Sequence, residues 1–354
     1  MYQGNTVGAV IPAYNEEAFI GEVIETLPSY IDQAYIIDDA STDGTWNAIV
    51  ARADGGTAVE SPAGNDDRTG TPSEDSDTEG RGRGDDRPAS EDGPKIVPLQ
   101  HEENRGVGGA IKTGYKRALA DEMDIAVVIA GDGQTEADIV ERIVEPVARG
   151  RVDYAKGNRM LTREGMPAFR QAGNVTLALL TRIASGYWKV NDPQNGSTAI
   201  SRSALETIEL DELYEDYGFV NDLLVRLNVH GLRVADVPRR AVYKDETSHI
   251  NYSTFIPKLS VLLLRDFLWR LRVKYLQRDF HPLALFYYFG AGTSALGGVA
   301  VGKRALEDRS FSGNGMVLFV LGWLFMLLAM VFDMNENSDL QEIGTLPNGD
   351  RSDD

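Results

Sequence analysis

The chain has 354 residues, a formal net charge of −19 and no cysteine. This acidic balance argues against nucleic acid as a partner, because phosphate contacts need clustered cations. It is typical of a solvated surface suited to high salt, where screening reduces self-repulsion. The lack of cysteine excludes disulfides and thiolate metal sites.

The first fifty residues alternate between strand and helix patterns. Residues 7–12 ("VGAVIP") and 34–41 ("AYIIDDAS") are short apolar runs that predict buried strands. Helical patterns follow them at residues 16–27 and 42–53, and Asn15 is placed to cap the first helix. This alternation predicts an α/β fold with a parallel sheet and helical crossovers.

Residues 54–94 interrupt the pattern. Between residues 54 and 92 the chain carries twelve acidic residues, four arginines and almost no large apolar side chain. Such a composition cannot bury enough apolar surface to offset the entropy of ordering. We therefore predict a disordered acidic insertion, after which residues 95–100 ("KIVPLQ") resume the strand pattern.

Strand and helix patterns then continue through the middle of the chain. The predicted strands are 125–130 and 152–160, and the predicted helices are 137–147, 169–187 and 219–230. A polar loop and a short strand lie between the last two helices.

The last hundred residues differ in kind. Residues 281–302 and 313–332 are each long enough to span a hydrocarbon core of roughly 30 Å, and buried core helices are the alternative. Residues 255–275 are apolar but interrupted by cations, which is typical of a helix in a membrane interface. The cations are Arg265, Arg270, Arg272 and Lys274, and the expected aromatic anchors are Trp269 and Tyr275.

Six motifs occur in order along the chain: "VIPAYNEE", "IIDDASTDGT", "NRGVGGAIKTGY", "AGDGQ", "GNR" and "DPQNG". With them the chain resembles the family 2 glycosyltransferases, and within these the archaeal dolichyl-phosphate hexose transferases of N-glycosylation. The resemblance implies a GT-A domain, a Rossmann-like sheet with flanking helices, over residues 1–250. An interfacial amphipathic helix at 251–280, a two-helix transmembrane hairpin at 281–332 and a disordered acidic tail at 333–354 are expected after it.

The loops after the predicted strands should converge on one crevice, because ligands of open parallel sheets bind outside the carboxyl ends of the strands. Glu16 and Asp39 carry carboxylates suited to ribose hydroxyls or base N–H donors, and the alternative for Asp39 is a turn residue. The resemblance implies nucleotide-sugar binding by both residues and by Pro12 and Tyr14.

The glycines of "NRGVGGAIKTGY" predict a loop that passes close to a ligand or to another backbone. We assign Asn104 and Gly106 to nucleotide-sugar binding. A dinucleotide-binding fold is the competing interpretation, but it requires G-x-G-x-x-G after the first strand, and none is present there.

Asp132 and Gln134 are the predicted metal ligands. The resemblance implies an Asp-x-Asp pair followed by Gln, but Ala130 replaces the first Asp of that pair. Mg²⁺ or Mn²⁺ often takes only one or two protein oxygens, and substrate phosphates supply others. One carboxylate and one amide oxygen therefore suffice, and a turn residue is the alternative for Asp132.

The substrate phosphates need cations, and the resemblance implies Arg159 and Arg170 for this role, with Asn174 close by. Arginine suits phosphate because its planar fork binds two oxygens at once. The resemblance also implies that Asp192, Gln194 and Asn195 of the "DPQNG" motif lie near the sugar and the acceptor. Turn formation is the alternative role for Asp192.

These features predict an enzyme that transfers a hexose from a nucleotide diphosphate sugar, with UDP favoured, to dolichyl phosphate. The reaction would be assisted by Mg²⁺ or Mn²⁺ and would invert the anomeric centre. Cations are more numerous before the first span than in the following turn, which places the catalytic domain in the cytoplasm of a multi-pass membrane protein. The alternatives are a glycan-extending polysaccharide synthase and a non-catalytic scaffold that binds nucleotide sugar.

Overall fold

The structure is a computed structural model, which describes residues 1–53, 93–131, 137–158, 168–193, 195–238, 252–306 and 313–343. Nearly all of the predicted acidic insertion lies outside the described residues, as does the end of the predicted tail.

Eight strands and ten α-helices alternate through the described part of the chain. The strands are β1 (Val7–Ala13), β2 (Gln33–Asp38), β3 (Lys95–Gln100), β4 (Ile125–Val128), β5 (Tyr154–Asn158), β6 (Thr198–Ser201), β7 (Val234–Pro238) and β8 (Gln341–Ile343). The helices are α1 (Ile20–Glu25), α2 (Thr45–Val50), α3 (Gly106–Ala120), α4 (Ala137–Ala148), α5 (Ala168–Ser185), α6 (Arg202–Thr207), α7 (Phe219–Val229), α8 (Tyr252–Arg272), α9 (Leu283–Leu306) and α10 (Gly313–Glu336).

All eight strands form one sheet, in the order β3-β2-β1-β4-β6-β5-β7-β8. Every neighbouring pair is parallel except the two that involve β6. The predicted α/β sheet with flanking helices is confirmed. Because β6 runs against its neighbours, the loop before it lies at the same edge of the sheet as the ends of β4 and β5.

Helices cover the sheet on both faces, and alternate residues of each strand supply the two cores. Ala34 and Ile36 face α1, α2 and α4, while Tyr35 and Ile37 face α3, α6 and α7. All four side chains are fully buried. This two-sided burial explains why the strands are continuous apolar runs.

The first helix is shorter than predicted. α1 begins at Ile20 rather than at residue 16, and Phe19 is its N-cap residue. The prediction of Asn15 as a helix cap is wrong, because its side chain accepts a hydrogen bond from the N–H of Thr42 instead. The loop-to-loop contact competes with helix formation for residues 14–19.

α9 and α10 are long and apolar enough to cross a membrane, by length and composition. They pack as a hairpin with close backbone contact: a Cβ at Gly290 would lie 2.7 Å from the carbonyl oxygen of Gly322. Many of their large apolar side chains are exposed, including Phe289 and Val317 at 60% and 64%. The two helices therefore pack on each other through glycines and expose apolar surface elsewhere.

A buried ion pair joins the hairpin to the α/β domain. The Nη1 and Nη2 atoms of Arg270 each lie 2.9 Å from a carboxylate oxygen of Asp333 on α10, and neither side chain is exposed. Arg270 also donates to the carbonyls of Ile183 and Ala184, in the last turn of α5. A cation is favourable at a helix C-terminus, where carbonyls lack partners.

The tyrosine expected as a membrane anchor belongs to this junction. Tyr275 is 1% exposed and donates to Oδ1 of Asp333 at 2.7 Å. The prediction that Arg270 and Tyr275 lie in a membrane interface is wrong, because the carboxylate of Asp333 on α10 binds both side chains inside the protein.

The tail predicted from residue 333 is partly ordered. α10 continues to Glu336, and β8 pairs in parallel with β7, with Gln341 opposite Val234. The prediction of disorder is wrong for residues 333–343, since backbone pairing at the sheet edge orders a segment too polar to be recognised from its composition. The end of α10 is thus attached to the sheet through β8, while α8, which precedes α9, packs on α5 and α7.

Candidate active site

The loops after β1 and β2 form one wall of the carboxyl edge. The N–H of Asn15 donates to Oγ of Ser41 at 2.9 Å, and its Oδ1 accepts from the N–H of Thr42 at 2.8 Å. The N–H of Glu16 donates to Oγ1 of Thr45 at 2.8 Å. Asn15 and Ala40 both have positive φ, at 58° and 59°, a conformation that is uncommon outside glycine. These cross-bonds hold the two loops against each other.

Three of the predicted nucleotide-sugar ligands lie on this wall. Tyr14 is exposed, while Pro12 and Glu16 are half-buried. Gly131, which follows β4, approaches Pro12 so closely that a Cβ would lie 2.8 Å from its carbonyl oxygen. The segment that leads to Asp132 therefore passes directly beside the end of β1.

Asp39 is buried, and groups from the segment after β3 surround its carboxylate. Oδ1 accepts from the N–H of Arg105 at 2.9 Å and lies 2.7 Å from Nδ1 of His101. Oδ2 accepts from the N–H of Gly106 at 2.8 Å. Sequence reasoning missed His101, which lies 62 residues from Asp39 and carries no local signal. The carboxylate orders the loop between β3 and α3.

The glycine-rich motif begins α3 and contacts another backbone. Gly106 has a φ of +80°, and a Cβ there would lie 2.7 Å from the carbonyl oxygen of Glu215. A Cβ at Gly108 would lie 2.6 Å from that of Tyr214. Asn104 is exposed, and its Oδ1 accepts from the N–H of Gly106 at 3.1 Å. Of the two reasons predicted for these glycines, the approach of another backbone is the one observed.

The predicted metal ligands Asp132 and Gln134 lie outside the described residues, as does Arg159. Within the described ranges no group of three or more His, Cys, Asp or Glu side chains is placed to hold a metal. The donor set of Asp132 and Gln134 consists of hard oxygens, which fits Mg²⁺ or Mn²⁺ completed by a diphosphate.

The remaining predicted ligands lie around α5 and the loop that follows it. Arg170 and Asn174 are in the first two turns of α5, and nothing is described of their side chains. Asp192 and Asn195 are buried at 7% and 2% exposure, and Gln194 between them lies outside the described residues.

Asp192 and Asn195 form a turn. The N–H of Asn195 donates to the carbonyl of Asp192 at 3.1 Å, and Oδ1 of Asn195 accepts from the N–H of Ser197 at 3.0 Å. Asp192 has a φ of 44°. The turn that was the alternative for Asp192 is present, and a role in sugar binding stays a prediction.

Sequence reasoning also missed a buried ion pair next to this turn. Nζ of Lys156 on β5 lies 3.1 Å from Oδ1 of Asp236 on β7, and the two side chains are 0% and 2% exposed. Asn158 donates to the other carboxylate oxygen at 2.7 Å. The available signal was one charged residue in the middle of each strand pattern, "YAKGN" and "VADVP", because charges at such positions need partners.

Comparison with known proteins identifies relatives of this region. The family model described as "Glycosyl transferase family 2" matches residues 9–61 and 87–209. A UDP-N-acetylglucosamine–dolichyl-phosphate N-acetylglucosaminyltransferase from Methanococcus voltae is 28% identical over 240 residues, which is 67% of this chain and 85% of the relative. The undecaprenyl-phosphate mannosyltransferase of Micrococcus luteus is 28% identical over 237 residues, or 65% and 80% of the two chains.

Among solved structures, glucosyl-3-phosphoglycerate synthase from Mycobacterium tuberculosis is 21% identical and superimposes with a TM-score of 0.49. The superposition covers 75% of this chain and 79% of that chain.

Proposed function

We propose that the protein transfers a sugar from a nucleotide diphosphate sugar to dolichyl phosphate, and the match of residues 9–61 and 87–209 to the model of glycosyl transferase family 2 supports this proposal. The sugar is a hexose or its N-acetylamino derivative, and uridine diphosphate is the favoured carrier. The product is a lipid-linked sugar of the kind that begins N-glycan assembly. The names of two relatives, which act on dolichyl phosphate and undecaprenyl phosphate, support the lipid acceptor.

One observation carries the proposal: the loops after β1, β2 and β4 and the loop before β6 meet at one edge of the sheet. The backbone contact between Gly131 and Pro12 joins β4 to β1, and the pairing of Thr198 with Val128 brings the β6 loop to the same edge. A nucleotide sugar and its acceptor need to meet in one crevice, and this edge is where open α/β sheets bind ligands.

The chemistry is displacement at the anomeric carbon. A phosphate oxygen of the acceptor forms the new bond to carbon as the bond to the nucleotide diphosphate breaks, with inversion. No general base is required, because the second pKa of a phosphate monoester is about 6 and the acceptor is mostly dianionic at pH 7. Positioning and charge neutralisation then supply most of the rate.

Within this scheme the protein residues have separate tasks. Pro12, Tyr14 and Glu16 line the donor side, while Asp39 acts indirectly by ordering the loop that contains Asn104. Arg159 and Arg170 neutralise phosphate charge. Asp132 and Gln134 would hold Mg²⁺ or Mn²⁺, which when bound supplies charge stabilisation to the diphosphate.

Membrane attachment follows from the C-terminal helices. Besides the two spans, α8 exposes Ile256, Val261, Leu264 and Leu268, at 57%, 68%, 58% and 42%. Their spacing places them on one face of the helix, which supports contact with the membrane interface. Because β8, which follows the second span, pairs with β7, which precedes the first span, we place the sheet and β8 on one side of the membrane, the cytoplasmic side.

The test is transfer from a panel of radiolabelled nucleotide sugars to dolichyl phosphate, in membranes, with and without a divalent cation. We expect labelled lipid from one donor, and its loss on chelation. Asp132→Ala should lower turnover by about 100-fold or more, whereas Asp138→Ala, at an exposed position on α4, should retain it. Full activity of Asp132→Ala would contradict the metal assignment. Nucleotide binding without transfer from any donor would favour the scaffold alternative.

A further inference from the structure

The loop that precedes β6 reaches the carboxyl edge of the sheet. Thr198 is paired with Val128 on β4 and with Lys156 on β5. The N–H of Gly157 donates to the carbonyl of Ser197 at 2.9 Å. Residues 195–197 therefore lie beside the ends of β4 and β5, in the region where ligands of such sheets bind.

Asn191 anchors this loop, and each of its polar groups is bound. Its N–H and Nδ2 donate to Oδ2 of Asp236 at 3.1 and 3.3 Å. Its carbonyl accepts from Nζ of Lys156, and its Oδ1 accepts from Arg182. Asp192 comes next, with a φ of 44° that turns the chain. A positive φ is strained for a residue with a Cβ, so the turn depends on the anchor before it.

Lys156 and Asp236 are the residues that hold Asn191. They are directly opposite each other on β5 and β7, and both are fully buried. Burying two charges costs several kcal/mol of desolvation for each ion, and well-packed apolar residues often stabilise a core as well or better. Stability alone therefore does not explain the pair. Its remaining hydrogen bonds go to Asn158, to the carbonyl of Gly157 and to Asn191, at the end of β5 and the start of the loop.

We propose that Lys156 and Asp236 are positioning residues that hold residues 191–193 and 195–197 in the geometry needed for sugar transfer. This inference rests on the proposed function, because it assigns the loop to the transfer site. Both side chains are buried and act through Asn191. A displacement of about 1 Å can lower turnover by roughly 100-fold, so we expect kcat to fall by about 10- to 100-fold when the pair is removed.

The experiment uses the full chain in lipid with dolichyl phosphate and compares the wild type with the Lys156→Met/Asp236→Asn double variant. The double variant removes both charges together and leaves no unpaired charge in the core. We expect the fall in kcat, an affinity for uridine diphosphate within about twofold of wild type, and faster amide hydrogen exchange over residues 190–197.

The Arg270→Met/Asp333→Asn double variant is the matched control, since it removes an equally buried ion pair that contacts none of residues 191–197. At a temperature below the unfolding transitions of both double variants, it should keep kcat within about threefold of wild type. An equal fall of kcat in both double variants would overturn the inference, as would unchanged kcat and unchanged exchange in the first.

If the wild type transfers no sugar from any donor, the proposed function fails, and amide exchange still decides whether the pair holds the loop. Unchanged exchange over residues 190–197 would then overturn this inference as well, and faster exchange would support the anchoring.

Discussion

The loops after β1, β2 and β3 and the loop before β6 meet at the same edge of the sheet, but different interactions hold them. On the β1–β3 side, short hydrogen bonds to backbone N–H groups join neighbouring loops, as at Asn15 and Asp39. On the β5–β7 side, the Lys156–Asp236 ion pair holds the loop from within the core. A second buried pair, Arg270–Asp333, attaches the α9–α10 hairpin to the rest of the protein.

The comparison shows two ways to place functional loops. Single hydrogen bonds contribute about 1 kcal/mol each, so the β1–β3 side should tolerate the loss of any one of them. A buried charge without its partner costs several kcal/mol, so the β5–β7 side and the hairpin junction should respond sharply to single substitutions.

The largest effect is expected at the hairpin junction. Arg270→Met leaves Asp333 charged and unpaired, and also removes the donors to Ile183 and Ala184. We expect the free energy of unfolding to fall by about 3–5 kcal/mol, measured by thermal or denaturant unfolding in detergent. The Arg270→Met/Asp333→Leu double variant should recover most of this loss. A single variant as stable as wild type would contradict the distinction between the two sides.

A smaller effect is expected at Asp39. Asp39→Asn removes the charge that accepts from two backbone N–H groups and faces His101, and an amide offers only one acceptor oxygen. We expect a loss of about 2 kcal/mol in the free energy of unfolding, with weaker binding of the nucleotide sugar because the loop before α3 loosens. Asp279→Asn, an exposed carboxylate, is the control. If Asp39→Asn lowered the free energy of unfolding as much as Arg270→Met does, the β1–β3 side would not differ from the hairpin junction.

The smallest effect concerns Asp266 on α8, whose change is expected to stabilise the protein. Burial, followed by the nearby carboxylate of Asp222, raises the pKa of Asp266 to about 7, and its Oδ2 has no hydrogen-bond partner in the described structure. The folded state therefore binds a proton more tightly than the unfolded state. Stability from this group should fall as pH rises from about 4 to about 7 and level off above it.

Asp266→Asn mimics the protonated form and should remove that pH dependence. We expect it to raise the free energy of unfolding at pH 8 and to leave it unchanged near pH 4. Unfolding curves of both proteins at the two pH values measure this difference. A variant that is less stable than wild type at pH 8 would show that the ion pair with Arg265 outweighs the cost of burying the carboxylate.

The sheet and its loops were largely predictable, because their signals are local. Apolar runs of five to seven residues mark β1 and β2, and polar residues at their ends mark the loops. The glycines of α3 predicted that a ligand or another backbone passes close to this helix. Only the structure shows that the backbone of residues 214–216 does so. The start of α1 was misplaced because the bonds of Asn15 to Ser41 and Thr42 replace a helix turn.

By itself, the sequence determined the α/β class, the order of strands and helices, the family motifs and the two long apolar helices, since each depends on residues close together in the chain. Tertiary structure decided the pairing of buried charges, such as Lys156 with Asp236 80 residues away and Arg270 with Asp333 63 residues away. It also decided the role of Tyr275 and the pairing of β8. The sequence shows that a charged or polar residue in an apolar run needs a partner, but only folding brings that partner within hydrogen-bond distance.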